Sequence, residues 1–398
     1  MNRFVLNRFQ QERPSWDNRE YAPFGDDDAF AFHKSLPHYH PTPLFSLPAL
    51  AHQLGVGQIL VKDESYRFDL NAFKVLGASY AIYRFMRGVM AVESSEPSDI
   101  LKLMNDARRS PWADKFTFCT ATDGNHGRAV AWTAKRFGQK AVIYMPKGTV
   151  PAGIRNIEAE GARVEIIEGT YDDAVKKIAI DAAQNGWQVI SDTAYPGYLT
   201  VPGQIMAGYV TMFKEMEGKI LGGESADVDI VFLQAGVGSF AAAAGWYYIA
   251  RYGSSRPKLV SVEPVEAACL LESSLTPDGR PTTAKGSFTT IMAGLNCGTP
   301  SIIAWPIIRD SFDLFLAVTD EYAAEAMRRY YHPPGDDPHI VSGESGAAGL
   351  AALLALVRDD GLREAREKLG LGMTSRILLV NTEGATDPEH FRHVVELR

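Results

Sequence analysis

The chain has 398 residues, enough for two or three domains that can each bury a core. Hydrophobic residues make up 46% and charged residues 22%, which excludes the disordered, collagenous and small disulfide-stapled classes. With 40 Lys and Arg against 48 Asp and Glu, the formal charge of −8 supplies no global positive field for nucleic acid or an anionic lipid surface.

The opening twenty residues lack the apolar core and small-residue cleavage site of a secretory leader, so nothing directs the chain outward. Ile59 to Lys62 reads as the first strand. From there β-branched runs alternate with amphipathic stretches, the pattern of βα units building a parallel sheet. Phe116 to Thr120 is expected as a strand, DGNHG as a turn, Arg128 to Phe137 as a helix stopped by Gly138, and Ala141 to Met145 as the next strand. Helix Ile154 to Glu160, strand Val164 to Ile167, helix Tyr171 to Gln184 and strand Trp187 to Ile190 continue the series. A long helix from Pro202 to Met216 leads to strand Asp229 to Gln234, the turn AGVGSF and an Ala-rich helix. Further strands are expected at Lys258 to Val262, Leu314 to Val318 and Arg376 to Asn381, with helices at Glu321 to Tyr331, Glu344 to Arg358 and Glu389 to Leu397.

The pattern predicts an α/β protein of two open parallel-sheet domains: a larger one from residues 1–90 and 205–398, and a smaller one inserted at 91–204. The longest apolar stretch, Gly346 to Val357, has 12 residues, short of the roughly 18 needed to cross a bilayer. Cys119, Cys269 and Cys297 form no CxxC pair, and their odd number fits a reducing cytoplasm. A Cys269 to Cys297 bridge stays open, because spacing alone does not fix Cα proximity.

In an open parallel sheet, ligands lie beyond the carboxyl ends of the strands, and four such places carry chemistry-bearing residues. Gly236, Val237, Gly238, Ser239 and Phe240 join a strand to a helix N-terminus, where bare backbone amides and the helix dipole suit a phosphate. Gly236, Gly238 and Ala241 also satisfy the looser dinucleotide pattern GxGxxA. Lys74, in NAFKVLGAS, lies among apolar neighbours that favour the neutral amine able to condense with an aldehyde. Asp123 and Asn125, in TDGNHG, follow a strand and are either ligand contacts or an Asx-turn and helix cap. Asp192, in SDTAYPGY, holds an equivalent place after the strand that ends at Ile190 and is either a ligand contact or a cap.

Taken together, these segments resemble the fold-type II pyridoxal-phosphate enzymes, the group that includes the tryptophan synthase β subunit. The lysine in NAFKVLGA, the GN-containing loop, GVGSF and NTEGATD carry the resemblance, and PTPLFSLPAL, VKDES, SVEP and GESGAAG follow in the same order from about His40 to Asp387. The resemblance implies an active site in the cleft between the two domains, the larger of which binds the cofactor. It implies Lys74 as covalent anchor of pyridoxal 5'-phosphate, Phe73 beside the ring, Asn125 at the phenolic oxygen, residues 236–240 at the phosphate and Thr382 at the pyridine nitrogen. A hydroxyl in that last place leaves the ring unprotonated and favours elimination over transamination.

Within the group, TDGNHG, SDTAYPGY and NTEGATD are most similar to the diaminopropionate ammonia-lyases. Related serine and threonine dehydratases carry Ser where this chain has Asp123, and a carboxylate suits a cationic β-amino group. The implied reaction is α,β-elimination of D- or L-2,3-diaminopropionate to pyruvate and two ammonia, with Asp123 serving the D isomer and Asp192 the L isomer. The resemblance also implies a homodimer.

The nearest alternative is a serine or threonine dehydratase, differing chiefly in leaving group. An oxidoreductase using GVGSFA to bind NAD, with Glu263 on the ribose, comes from another class but leaves Lys74 and TDGNHG without a task. A silent small-molecule binder would leave the three candidate catalytic residues without a task as well. His33, His38 and His40 are the densest histidine group, lack a full ligand set, and are read as loop or surface residues; His390 and His393 share a helix face, and His126 is given no role.

Overall fold

The computed structural model describes residues 1–398 except 13, 15, 17–20, 26, 91–99, 123, 170, 221–225 and 397–398. Its described strands are β1 (Arg3–Leu6), β2 (Leu44–Ser46), β3 (Gln58–Asp63), β4 (Thr117–Ala121), β5 (Lys140–Pro146), β6 (Arg163–Ile167), β7 (Gln188–Val189), β8 (Ile230–Gln234), β9 (Lys258–Pro264), β10 (Leu314–Val318) and β11 (Arg376–Asn381). The chain divides into two compact units, one of Met1–Arg19, Pro41–Tyr66 and Met212–Arg398, the other of Glu20–His40 and Arg67–Thr211.

The first unit is built on a seven-stranded sheet in the order β1-β10-β9-β8-β11-β3-β2. Its five central strands are mutually parallel, whereas β1 pairs antiparallel with β10 and β2 antiparallel with β3. β8 and β10 are buried along their whole length, as expected of parallel strands covered on both faces. Helix Ala348–Arg358 contributes Leu350, Leu353, Leu354 and Leu356 to the main core, joined by Met327 and Tyr330 of helix Asp320–Tyr331. The 12-residue apolar stretch is therefore largely a core helix, and no helix among the described residues is long and apolar enough to cross a membrane.

The second unit holds a four-stranded, wholly parallel sheet in the order β6-β5-β4-β7. Helix Tyr171–Asn185 presents Ala174, Ile178 and Ala182, spaced by four, to Cys119 and Val142 of the sheet. Helix Lys74–Val89 belongs to this unit too, and it crosses helix Thr200–Lys214 with Gly77 and Gly208 at the contact. A Cβ on Gly208 would overlap the Leu76 carbonyl and stand 2.9 Å from the Gly77 Cα, so the two backbones touch there.

The bounds of these units differ from the expected domain boundaries. Residues 20–40, 67–90 and 205–211 were expected in the larger domain, but they fall in the second unit, where helix Lys74–Val89 packs against helix Asn125–Arg136 of the inserted segment as well as against helix Thr200–Lys214. The sheets were expected to be parallel, but the short edge strands β1 and β2 of the first unit run antiparallel. The Cys269 to Cys297 bridge is not formed: no disulfide joins any of the three cysteines.

Candidate active site

Each unit carries one set of the candidate residues. In the second unit, Lys74 is the first residue of helix Lys74–Val89, and its Nζ donates to Asp192 Oδ2 at 2.5 Å. The amine also lies 5.4 Å from the centre of the Phe73 ring, and that ring packs against Tyr209 with centroids 4.7 Å apart. The neighbourhood expected to be apolar therefore includes a carboxylate facing the amine. Burial works against the charge on Asp192, but the Lys74 ammonium and its hydrogen bond overcome it and hold the carboxyl down at about 2. The pair is thus an ion pair, and the basicity of Asp192 is tied to the charge on Lys74.

The loop that carries Asp192 is fixed at three consecutive residues. Tyr198 Oη donates to the Val189 carbonyl at 3.0 Å and accepts from the Ser191 amide at 2.9 Å. Between them, Ile190 donates its amide to the Cys119 carbonyl and accepts at its own carbonyl from His126 Nε2, 2.8 Å away. A carbonyl only accepts, so Nε2 carries the hydrogen. Burial pushes the imidazole below its ordinary value and keeps it neutral. His126 Nδ1 is then a bare acceptor, buried and without a hydrogen-bond partner among the described residues.

Asn125 and His126 open helix Asn125–Arg136, three residues earlier than the expected start at Arg128. The hydroxyl that organises this turn is that of Thr122, which accepts from the Gly124 and Gly127 amides at 3.0 and 3.1 Å. Thr122, a residue not among the expected caps, thus takes up two amides of this turn. Asp123 itself lies outside the described residues.

In the first unit, the loop 236–240 follows β8 and runs into the 14-residue helix Ser239–Tyr252. Gly238 has φ +97°, a left-handed conformation in which any side chain would be strained, and its Cβ would stand 2.6 Å from Ile308 Cδ1. At Gly236 a Cβ would stand 2.7 Å from Cys297 Sγ. The loop thus offers bare backbone at a helix N-terminus, where amides lack intrahelical partners and an anionic group is favoured. Thr382 follows β11 directly and is buried, with its Oγ1 3.0 Å from Gln234 Nε2 at the end of β8. Within the first unit, an anion cradle and a buried hydroxyl at the ends of β8 and β11 suit the phosphate and the pyridine nitrogen of pyridoxal phosphate; within the second, the Lys74 amine at a helix start suits its aldehyde.

The dinucleotide alternative fails at Glu263. Both of its carboxylate oxygens are taken by the Leu270 and Leu271 amides at 2.7 and 2.9 Å, its side chain is fully buried, and burial pushes it up to about 8. Held by these amides and closed off from solvent, it offers no access to a ribose. Sequence reasoning passed over Gln234 and Tyr198 and gave His126 no role. A polar residue closing the apolar strand DIVFLQ is the signal that points to Gln234.

Comparison with known proteins supplies the family. The profile described as "Pyridoxal-phosphate dependent enzyme" matches residues 35–382. The diaminopropionate ammonia-lyase of Salmonella typhimurium is 41% identical over 369 residues, covering 92% of this chain and 91% of that protein. That of Escherichia coli is 41% identical over 364 residues, covering 92% and 89%. The crystal structure of the Escherichia coli enzyme in complex with D-serine superposes with a TM-score of 0.89 at 37% identity, covering 99% of this chain and 97% of that one. The chain belongs to the pyridoxal-phosphate-dependent enzymes of fold type II.

Proposed function

We propose that this protein is a diaminopropionate ammonia-lyase, eliminating the β-amino group of D- or L-2,3-diaminopropionate and yielding, with water, pyruvate and two ammonia. The observation that carries the reading is the Lys74 to Asp192 pair, an amine and a carboxylate at 2.5 Å beside a buried neutral imidazole. The relatives named above support the substrate.

Pyridoxal phosphate supplies an electron sink for the pair of electrons left when the Cα proton departs. Lys74 would hold the cofactor by its amine and is the group the substrate's α-amine would replace. The amides of residues 236–240 would hold the phosphate, Thr382 would meet the ring nitrogen, and Asn125 would meet the phenolic oxygen. Asp192 removes the Cα proton of the L isomer and Asp123 that of the D isomer, since the two protons leave from opposite faces. Asp192 is suited to this because it stays ionised at neutral pH and its loop is fixed at Val189, Ile190 and Ser191. Asp123 also pairs with the cationic β-amino group and orients it for departure. We further propose a cytoplasmic homodimer.

The test is an absorption spectrum before and after adding DL-2,3-diaminopropionate, with pyruvate and ammonia assayed together. A visible cofactor band, perturbed by substrate, with two ammonia per pyruvate is the expected result. A band with faster turnover of serine or threonine would move the assignment to a dehydratase. No band after added pyridoxal phosphate would remove Lys74 as anchor.

A further inference from the structure

Gln234 ends β8 with its side chain buried, and its Nε2 faces four oxygens: the Val380 carbonyl at 2.8 Å, Thr382 Oγ1 at 3.0 Å, the Ser345 carbonyl at 3.2 Å and the Gly346 carbonyl at 3.3 Å. Three of the four are backbone carbonyls, which only accept. The amide can therefore take only one orientation, with nitrogen toward this cluster, because an oxygen there would face three lone pairs with no donor. Its two hydrogens go to the two nearest atoms, Val380 O and Thr382 Oγ1. Its oxygen, turned the other way, is buried without a partner among the described residues, a cost that a side chain selected only for packing would not carry.

The consequence falls on Thr382. A hydroxyl has one hydrogen and two lone pairs, and one lone pair of Oγ1 is occupied by Gln234. Its hydrogen is then available for an acceptor elsewhere. We propose that Gln234 is a positioning residue that sets the direction of the Thr382 hydroxyl, so that Thr382 donates to the pyridine nitrogen of the cofactor and keeps that nitrogen unprotonated. This rests on the reading above in which Thr382 meets the ring nitrogen. The residues lie 148 positions apart and are brought together by the neighbouring parallel strands β8 and β11. Gln234 acts through Thr382 and contacts no reacting atom.

The experiment uses holoenzyme reconstituted with pyridoxal phosphate labelled with 15N in the ring, comparing wild type, Gln234→Met and Thr382→Val. Two quantities are read: the 15N resonance of the ring, which separates free from protonated pyridine, and the number of eliminations per cofactor lost to transamination. In wild type the resonance should be that of an unprotonated ring. In Gln234→Met it should move toward the protonated position, and the partition ratio should fall roughly tenfold, the effect of losing one hydrogen bond that directs a buried group. Gln234→Glu is the second variant should Gln234→Met not fold. With one hydrogen at most, it leaves a bare oxygen toward Thr382, draws the hydroxyl to itself and shifts the resonance the same way. A Thr382→Val shift with no shift in either Gln234 variant overturns the role of Gln234 and leaves the placement of Thr382 standing. No shift in any of the three overturns both.

Discussion

Lys74 Nζ and Asp192 Oδ2 stand 2.5 Å apart although their residues are 118 positions apart in the chain, one at the first turn of a helix and the other in the loop after β7. The ammonium keeps the carboxylate ionised inside the second unit, and the carboxylate keeps the amine aimed along one direction. Two expectations follow from this pair.

The first concerns the two isomers. A positioned base is typically worth a factor of about 10² to 10⁴, so Asp192→Asn should lower kcat on L-2,3-diaminopropionate by that order and affect the D isomer less. Asp123→Asn should do the reverse. Steady-state kinetics on each pure isomer decides it, and equal losses on both isomers from both variants would remove the division of labour.

The second concerns acid. The folded-state value of Asp192, about 2, lies below its ordinary 3.8, so the ion pair contributes stability that is complete above the ordinary value and lost as pH falls through the lower one. Asp192→Asn removes that dependence. In the cofactor-free protein, where Lys74 keeps its ammonium, the Tm of wild type should fall more steeply between about pH 5 and pH 2 than that of the variant. Parallel curves would mean the pair contributes nothing to folding.

Tyr198→Phe tests the loop. It removes a hydroxyl that donates to the Val189 carbonyl and accepts from the Ser191 amide, leaving both backbone groups to find other partners. A loss of about 1 to 3 kcal/mol in denaturant unfolding is expected, with kcat on the L isomer reduced more than kcat on the D isomer. A uniform effect on both isomers would separate this loop from the placement of Asp192.

Gly208→Ala tests the helix crossing beneath Lys74. The new methyl would overlap the Leu76 carbonyl and lie 2.9 Å from the Gly77 Cα, and backbone on the other side cannot rotate away. A destabilisation of about 1 to 3 kcal/mol is expected, together with slower uptake of pyridoxal phosphate as the helix that starts at Lys74 shifts. Unchanged stability and uptake would show that the two helices separate freely.

Glu344 supplies a pH dependence of opposite sign. Burial, with Asp387 adding to it, pushes its carboxyl up to about 7 from an ordinary 4.5, so the folded state holds a proton that the unfolded state releases. Stability therefore falls as pH rises between those values, by an amount on the order of 3 kcal/mol in total. Glu344→Gln should unfold at a higher temperature than wild type near pH 8 and show a smaller advantage near pH 5. An advantage independent of pH would place the Glu344 carboxyl at its ordinary value.

The α/β alternation, the glycine loop after β8 and the positions of Lys74, Asn125, Asp192 and Thr382 at or near strand and helix ends are legible in the sequence, because hydrophobic period and turn chemistry are local properties. Runs such as IVFLQ and LFLAV announce buried parallel strands without any partner in view. The edge strands β1 and β2 have four and three residues, too short for a period to show, and their antiparallel pairing depends on neighbours hundreds of positions away or across a turn. The unit boundary is hidden for a related reason: helix Lys74–Val89 joins the second unit by packing against helix Asn125–Arg136, and nothing in its own sequence names that partner.

The chemistry divides in the same way. The sequence by itself determined which residue types could act and that they lie near strand ends. Only the tertiary structure decided that Asp192 faces Lys74, that Thr122 caps the turn before Asn125, that His126 keeps its hydrogen on Nε2, and that Gln234 donates to Thr382. Hydrogen-bond direction and ion pairing depend on which acceptor lies within about 3 Å, and that distance is set by long-range strand and helix packing rather than by sequence spacing.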